Sequence, residues 1–86
     1  MIQPYLKEPP PEICHMLAQV FSAMGDFKSA ENFERRYIAS HPVKIAEAWG
    51  FLGDILLSRS QRNQARHAYR NGMSALLQEA NPGKTQ

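Results

Sequence analysis

Cys14 and His15 are the first neighbours in this sequence whose types suggest reaction chemistry, a thiolate nucleophile with an imidazole to take its proton. Adjacent residues on a helix point in different directions, so the imidazole is badly placed for that transfer. Cys14 reads instead as a buried, inert thiol. It is the only cysteine, which leaves no intramolecular disulfide and no cysteine-based zinc cage. His15, His41 and His67 lie too far apart to share a helix face, and none has a second ligand at metal-binding spacing along the chain. The sequence contains no glycine-rich phosphate loop, nucleophile elbow or spaced carboxylate pair, so no catalytic residue, metal or cofactor is expected.

The remaining chemistry is charge. Arg59, Arg62, Arg66 and Arg70 recur at three- and four-residue steps and predict a basic ridge along one helix, suited to phosphates or to an acidic protein surface. No aromatic platform is interleaved with it, and the net charge is only +2, which places nucleic acid behind protein as a partner. The charge is uneven: residues 1–57 hold five Lys/Arg against seven Asp/Glu, and residues 58–86 hold five against one. An acidic first part and a basic end attract each other between copies or address different molecules.

A chain of 86 residues, 43% hydrophobic and 21% charged, fits one small soluble domain with a marginal core. Neither a signal peptide nor a membrane span is read from it, and with a single cysteine the expected compartment is the cytoplasm.

Four helices must position the charged groups. Pro4, Pro9, Pro10 and Pro11 make residues 1–10 an extended leader, with Pro11 suited to the first position of a helix. The first helix carries an apolar stripe of Ile13, Leu17, Val20, Phe21 and Met24 and stops at Gly25-Asp26. Asp26 is placed to cap a second helix with Ala30, Phe33, Tyr37 and Ile38 inward, which ends at His41-Pro42. A third is expected from about Val43 to Ser58, facing inward with Ile45, Ala48, Trp49, Leu52, Ile55 and Leu56. Ser60 is expected to cap a fourth that runs to Ala80 with Ala65, Ala68, Tyr69, Gly72, Met73, Leu76, Leu77 and Ala80 inward, before a disordered tail at 82–86. Short connections make neighbours antiparallel, and the fold class is all-α.

The two helix pairs repeat at about 34 to 35 residues. The second contains Trp49-x2-Leu52-Gly53-x2-Leu56 followed by Ala65-x3-Tyr69. The first contains Cys14-x2-Leu17-Ala18-x2-Phe21, the turn Gly25-Asp26-Phe27, Ala30 and finally Pro42. This pattern resembles the tetratricopeptide repeat (TPR) family over roughly residues 11–80. The resemblance implies two helix-turn-helix hairpins, repeat one at 11–42 and repeat two at 45–80 within a domain at 11–81, in a short right-handed superhelical stack. Glu34 and Tyr37 depart from it, standing where an aromatic and a small residue are usual.

The resemblance also implies a ligand surface on the first helix of each pair: Glu12, His15, Met16, Gln19 and Ser22, then Glu47, Gly50, Phe51, Asp54 and Leu57. The Lys, Arg and Asn of a carboxylate clamp are missing from these places, so a basic or mixed apolar-polar protein segment is the expected ligand. Two repeats leave apolar faces uncovered. The expected function is therefore a non-catalytic adaptor, assembly factor or chaperone-like subunit binding a partner helix or peptide. The alternative is a structural homo-oligomer, with a nucleic-acid binder using the arginine ridge behind both.

Overall fold

The computed structural model describes residues 9–80. Most of the proline-rich leader, residues 1–8, and the expected tail at 82–86 lie outside the described residues. Four helices follow one another: α1 (Pro11–Ala23), α2 (Phe27–Ala39), α3 (Ile45–Ser58) and α4 (Arg62–Ala80). Among the described residues there is no strand. α1 packs on α2, α2 on α3 and α3 on α4, forming two stacked hairpins in a layer only 15 Å thick across its shortest axis.

Pro11 opens α1, where its missing N–H costs nothing. α1 closes with Gly25 in the left-handed region (φ 85°), the Gly25 N–H on the Ser22 carbonyl and the Asp26 N–H on the Phe21 carbonyl. Those two bonds satisfy carbonyls that the helix end leaves open. Asp26 then caps α2 as expected, its Oδ1 accepting from the Ser29 N–H at 3.2 Å and its Oδ2 from the Ser29 hydroxyl at 2.9 Å.

The same turn recurs between α3 and α4 one repeat later, with a correction. Ser60 does not cap α4. It takes the place of Gly25, at φ 63°, with its own N–H on Leu57 O and the Gln61 N–H on Leu56 O. Gln61 stands in the cap position and accepts the Ala65 N–H through its backbone carbonyl, so α4 begins at Arg62. The α3 terminus needs a left-handed residue to close, and that requirement outweighs the preference of serine for helix caps.

The core joins Ile38 of α2 to Ala48, Leu52 and Leu56 of α3 and to Ala65 and Ala68 of α4, with Tyr37, Ile45, Trp49 and Tyr69 packed around it. Small residues set the approach of the helices. Ala18, Ala30, Gly53 and Ala65 are all buried, and a Cβ added at Gly53 would lie 2.5 Å from Cε1 of Tyr69. At Gly72 an added Cβ would sit 3.2 Å from both the Ala46 carbonyl oxygen and Trp49 Cβ.

Two expected stripes are overturned in part. On α1 the buried residues are Cys14 and Ala18, with Leu17 and Phe21 half-buried, while Ile13, Val20 and Met24 are exposed. The hairpin partner covers only one flank of the broad apolar face. On α4, Met73, Leu76, Leu77 and Ala80 are exposed as well. α4 has 19 residues and α3 has 14, so the last turns of α4, with Leu76 and Leu77, run beyond α3, whereas Met73 lies alongside α3 on a side that no described helix covers.

Candidate protein-interaction surface

The centre of the expected ligand face is built around a carboxylate. Glu34 of α2 is fully buried, and both its oxygens meet Nδ1 of His15 on α1, at 2.9 and 3.1 Å. Such a group is tolerated inside a protein only when paired or bonded. Burial pushes the Glu34 carboxyl above the ordinary carboxylate range, and the bond to His15 and its charge pull it partly back. The His15 ring lies in turn against two aromatics, stacked on Tyr37 with centroids 4.5 Å apart and edge-on to Phe51 of α3 at 5.9 Å. One imidazole therefore ties α1 to α2 through a hydrogen bond and to α3 through a ring edge.

Around this aromatic centre the surface is mostly acidic, with Lys44 lining one hollow together with Glu12 and Tyr37. Glu12, Glu47 and Asp54 are exposed. The Tyr37 phenol is pushed up first by burial, then by the charges of Glu34, Glu12 and Glu47, which locates these carboxylates about one ring. Asp54 accepts a hydrogen bond from the Tyr69 hydroxyl; that bond, with burial behind it, pushes the phenol up to about 12. Gly50 is half-buried with nothing within 4 Å of an added Cβ, so the face is open between Glu47 and Phe51. Met16 and Gln19 are exposed on α1, and Ser22 is half-buried near its end. Leu57 departs from the group, lining a groove between α3 and α4 instead.

The sequence alone does not place Tyr37 at this surface or Glu34 buried beneath it, although both are visible as departures from the repeat. A buried acid at an aromatic position requires a donor nearby, and His15 is the donor that folding supplies. Cys14 is buried, its Sγ 3.7 Å from the Pro9 carbonyl oxygen, and burial raises the thiol above its ordinary value, opposite to what a reactive thiolate needs. Among the described residues, no group of three or more His, Cys, Asp or Glu is arranged to hold a metal ion. No described helix is long and apolar enough to cross a membrane.

The basic ridge is also revised. Arg59 leaves it to pair with Glu31 of α2, which Arg35 holds from the other side at 2.8 Å. Burial works against ionisation of Glu31, yet the hydrogen bonds from the two arginines outweigh it and hold the carboxyl below its ordinary range. Arg62, Arg66 and Arg70 remain together along the rim of a groove of about 350 Å³, whose floor is Leu57, Ala65, Tyr69 and Met73.

Four adjacent-packed helices at this hairpin spacing are compatible with the tetratricopeptide-like fold that the sequence resembles. No protein-family model matches the chain, and no solved structure matches it. A stretch of 49 residues is 43% identical to the Xenopus laevis protein named protein O-mannosyl-transferase tmtc2. The match covers 57% of this chain but only 6% of that much longer protein.

Proposed function

We propose that this chain is a non-catalytic protein-interaction module, acting as an adaptor, assembly factor or chaperone-like subunit, that holds a basic or mixed apolar-polar segment on the face shared by α1 and α3. The supporting observation is the cluster of His15, Tyr37 and Phe51 rings with Glu12, Glu47 and Asp54 exposed around it. Ring faces attract cationic side chains, and a carboxylate rim steers and orients them. The transferase activity in the name of the Xenopus protein belongs to that protein.

The test is a pair of synthetic peptides, one alternating Lys and Leu and one alternating Glu and Leu, titrated while the ring resonances of Tyr37 and Phe51 are followed by NMR. The basic peptide is expected to shift both rings, to weaken with added salt, and to lose most of its affinity when Glu12 and Glu47 are both changed to Lys. Equal response to the two peptides, or no movement of either ring, overturns the reading. A structural homo-oligomer is the second reading, favoured by the exposed Ile13, Val20 and Met24 of α1. Sedimentation of the purified chain as a dimer that leaves both rings unmoved by either peptide would replace the first reading with the second.

A further inference from the structure

The groove between α3 and α4 is the second copy of a seat that is already filled once in this molecule. Its residues Leu57, Ala65, Arg66, Tyr69 and Met73 correspond, one repeat of about 34 to 35 residues earlier, to Ser22, Ala30, Glu31, Glu34 and Ile38. On that earlier surface lies α3, with Ile38 packed among Ala48, Leu52 and Leu56. Ile38 is 8% exposed, and its counterpart Met73 is 61% exposed. Among the described residues, α3 covers the first and no helix covers the second.

Charge then selects among helices. The seat that α3 fills is locked at its edge by Glu31 on the floor helix and Arg59, the residue that caps the C-terminus of the incoming one. In the open seat the counterpart of Glu31 is Arg66, flanked by Arg62 and Arg70, and none of the three forms an ion pair among the described residues. An occupant in the register of α3 therefore needs a carboxylate where α3 carries Arg59. The α1 helix of a second copy puts Met24 at that position and would leave the arginines unanswered.

From these observations we propose that the α3–α4 groove is a docking site for an acidic amphipathic helix of a partner, seated as α3 is seated on the first hairpin, with a carboxylate on Arg66. This site is separate from the α1–α3 face and takes a partner of the opposite charge, so it stands or falls independently of the preceding proposal.

The test uses two synthetic peptides with the sequence of residues 45–60, one unchanged and one carrying Arg59→Glu, against the native chain and its Arg66→Glu variant. Arg66 is exposed, so the variant should keep the native helical circular dichroism. The Arg59→Glu peptide is expected to bind the native chain about three- to tenfold more tightly than the unchanged peptide, with a preference that fades at high salt and reverses on Arg66→Glu. The Met73 methyl resonance should move on binding, and the Phe51 ring should not. Absence of a charge preference, a preference that survives Arg66→Glu, or a response at Phe51 without one at Met73 overturns the proposal. So does self-association of the native chain that broadens Met24 and Met73 together, since the groove would then be the seat of a second copy.

Discussion

Where the second hairpin carries Tyr69, the first carries Glu34, and each choice is matched by its surroundings. Tyr69 lays its ring against Gly53 and donates its hydroxyl to Asp54. Glu34 is narrower, so Ala18 fits where the second hairpin needs a glycine, and the space left over is taken by His15, whose counterpart is Gly50. Two solutions to the same seam thus differ in kind. The second is closed by ring packing with a polar tip near the surface. The first is closed by a buried ion-pair geometry, whose partners become costly if separated.

The most severe disruption should come from breaking that pair. His15→Ala leaves the Glu34 carboxylate buried without its donor and is expected to cost about 3–5 kcal/mol, enough to unfold much of so small a domain. Burial alone would then act on Glu34, raising its carboxyl further. The sign follows: the loss is greatest at neutral and alkaline pH and shrinks as the pH falls and the buried group takes a proton. Urea unfolding across pH checks this, and the double variant His15→Ala, Glu34→Leu should recover part of the loss by filling the site with apolar volume.

Gly53→Ala comes next. Alanine ordinarily gains about 1 kcal/mol in a helix, but the ring contact at Gly53 should turn this into a net loss of about 1–3 kcal/mol. Combined with Tyr69→Leu the alanine should be tolerated. Ala18→Gly in the first hairpin should show only the propensity cost of about 1 kcal/mol. Equal effects of Gly53→Ala with and without the ring, read from thermal melts, would remove the proposed coupling between the two positions.

Ser60→Gly sharpens the comparison of the two turns. Gly25 reaches its left-handed conformation without strain and Ser60 does not, so the substitution is expected to stabilise the chain by about 0.5–1 kcal/mol. The ring solution of the second hairpin can be read separately at alkaline pH. Because the Tyr69 phenol rises from 10.0 to about 12 in the folded chain, the stability it contributes is complete below pH 10 and is lost as the pH climbs toward 12. Tyr69→Phe should reduce that slope, leaving the part that Tyr37 and Cys14 contribute, as measured by urea midpoints from pH 9 to 12.

Helix number, order and turn positions were legible along the chain because they depend on neighbours: Pro11 at a helix start, Asp26 three residues before the amide it caps, Gly25 and His41-Pro42 as stops. The Ser60 assignment slipped by one residue, since a serine fits a cap by local propensity and only the closing bonds of α3 show that a left-handed residue is required there. The stripes on α1 and α4 were correctly apolar. Periodicity reports which side of a helix avoids water, and cannot say whether anything arrives to cover all of it.

The interaction face divides along the same line. His15, Phe51, Glu12 and Glu47 are placed on the proposed face by the resemblance to the repeat family, carried over position by position, and helical register adds only that they lie on the first helix of each pair. Glu34 and Tyr37 enter only when α2 folds back on α1, and Arg59 is drawn away to Glu31 by a contact across 28 residues of chain. Register is fixed by bonds between near neighbours, so the amino-acid order alone determines it. Pairing of a buried charge and the exposure of a groove among the described residues depend on how distant segments meet, and those were decided only by the packed arrangement of the helices.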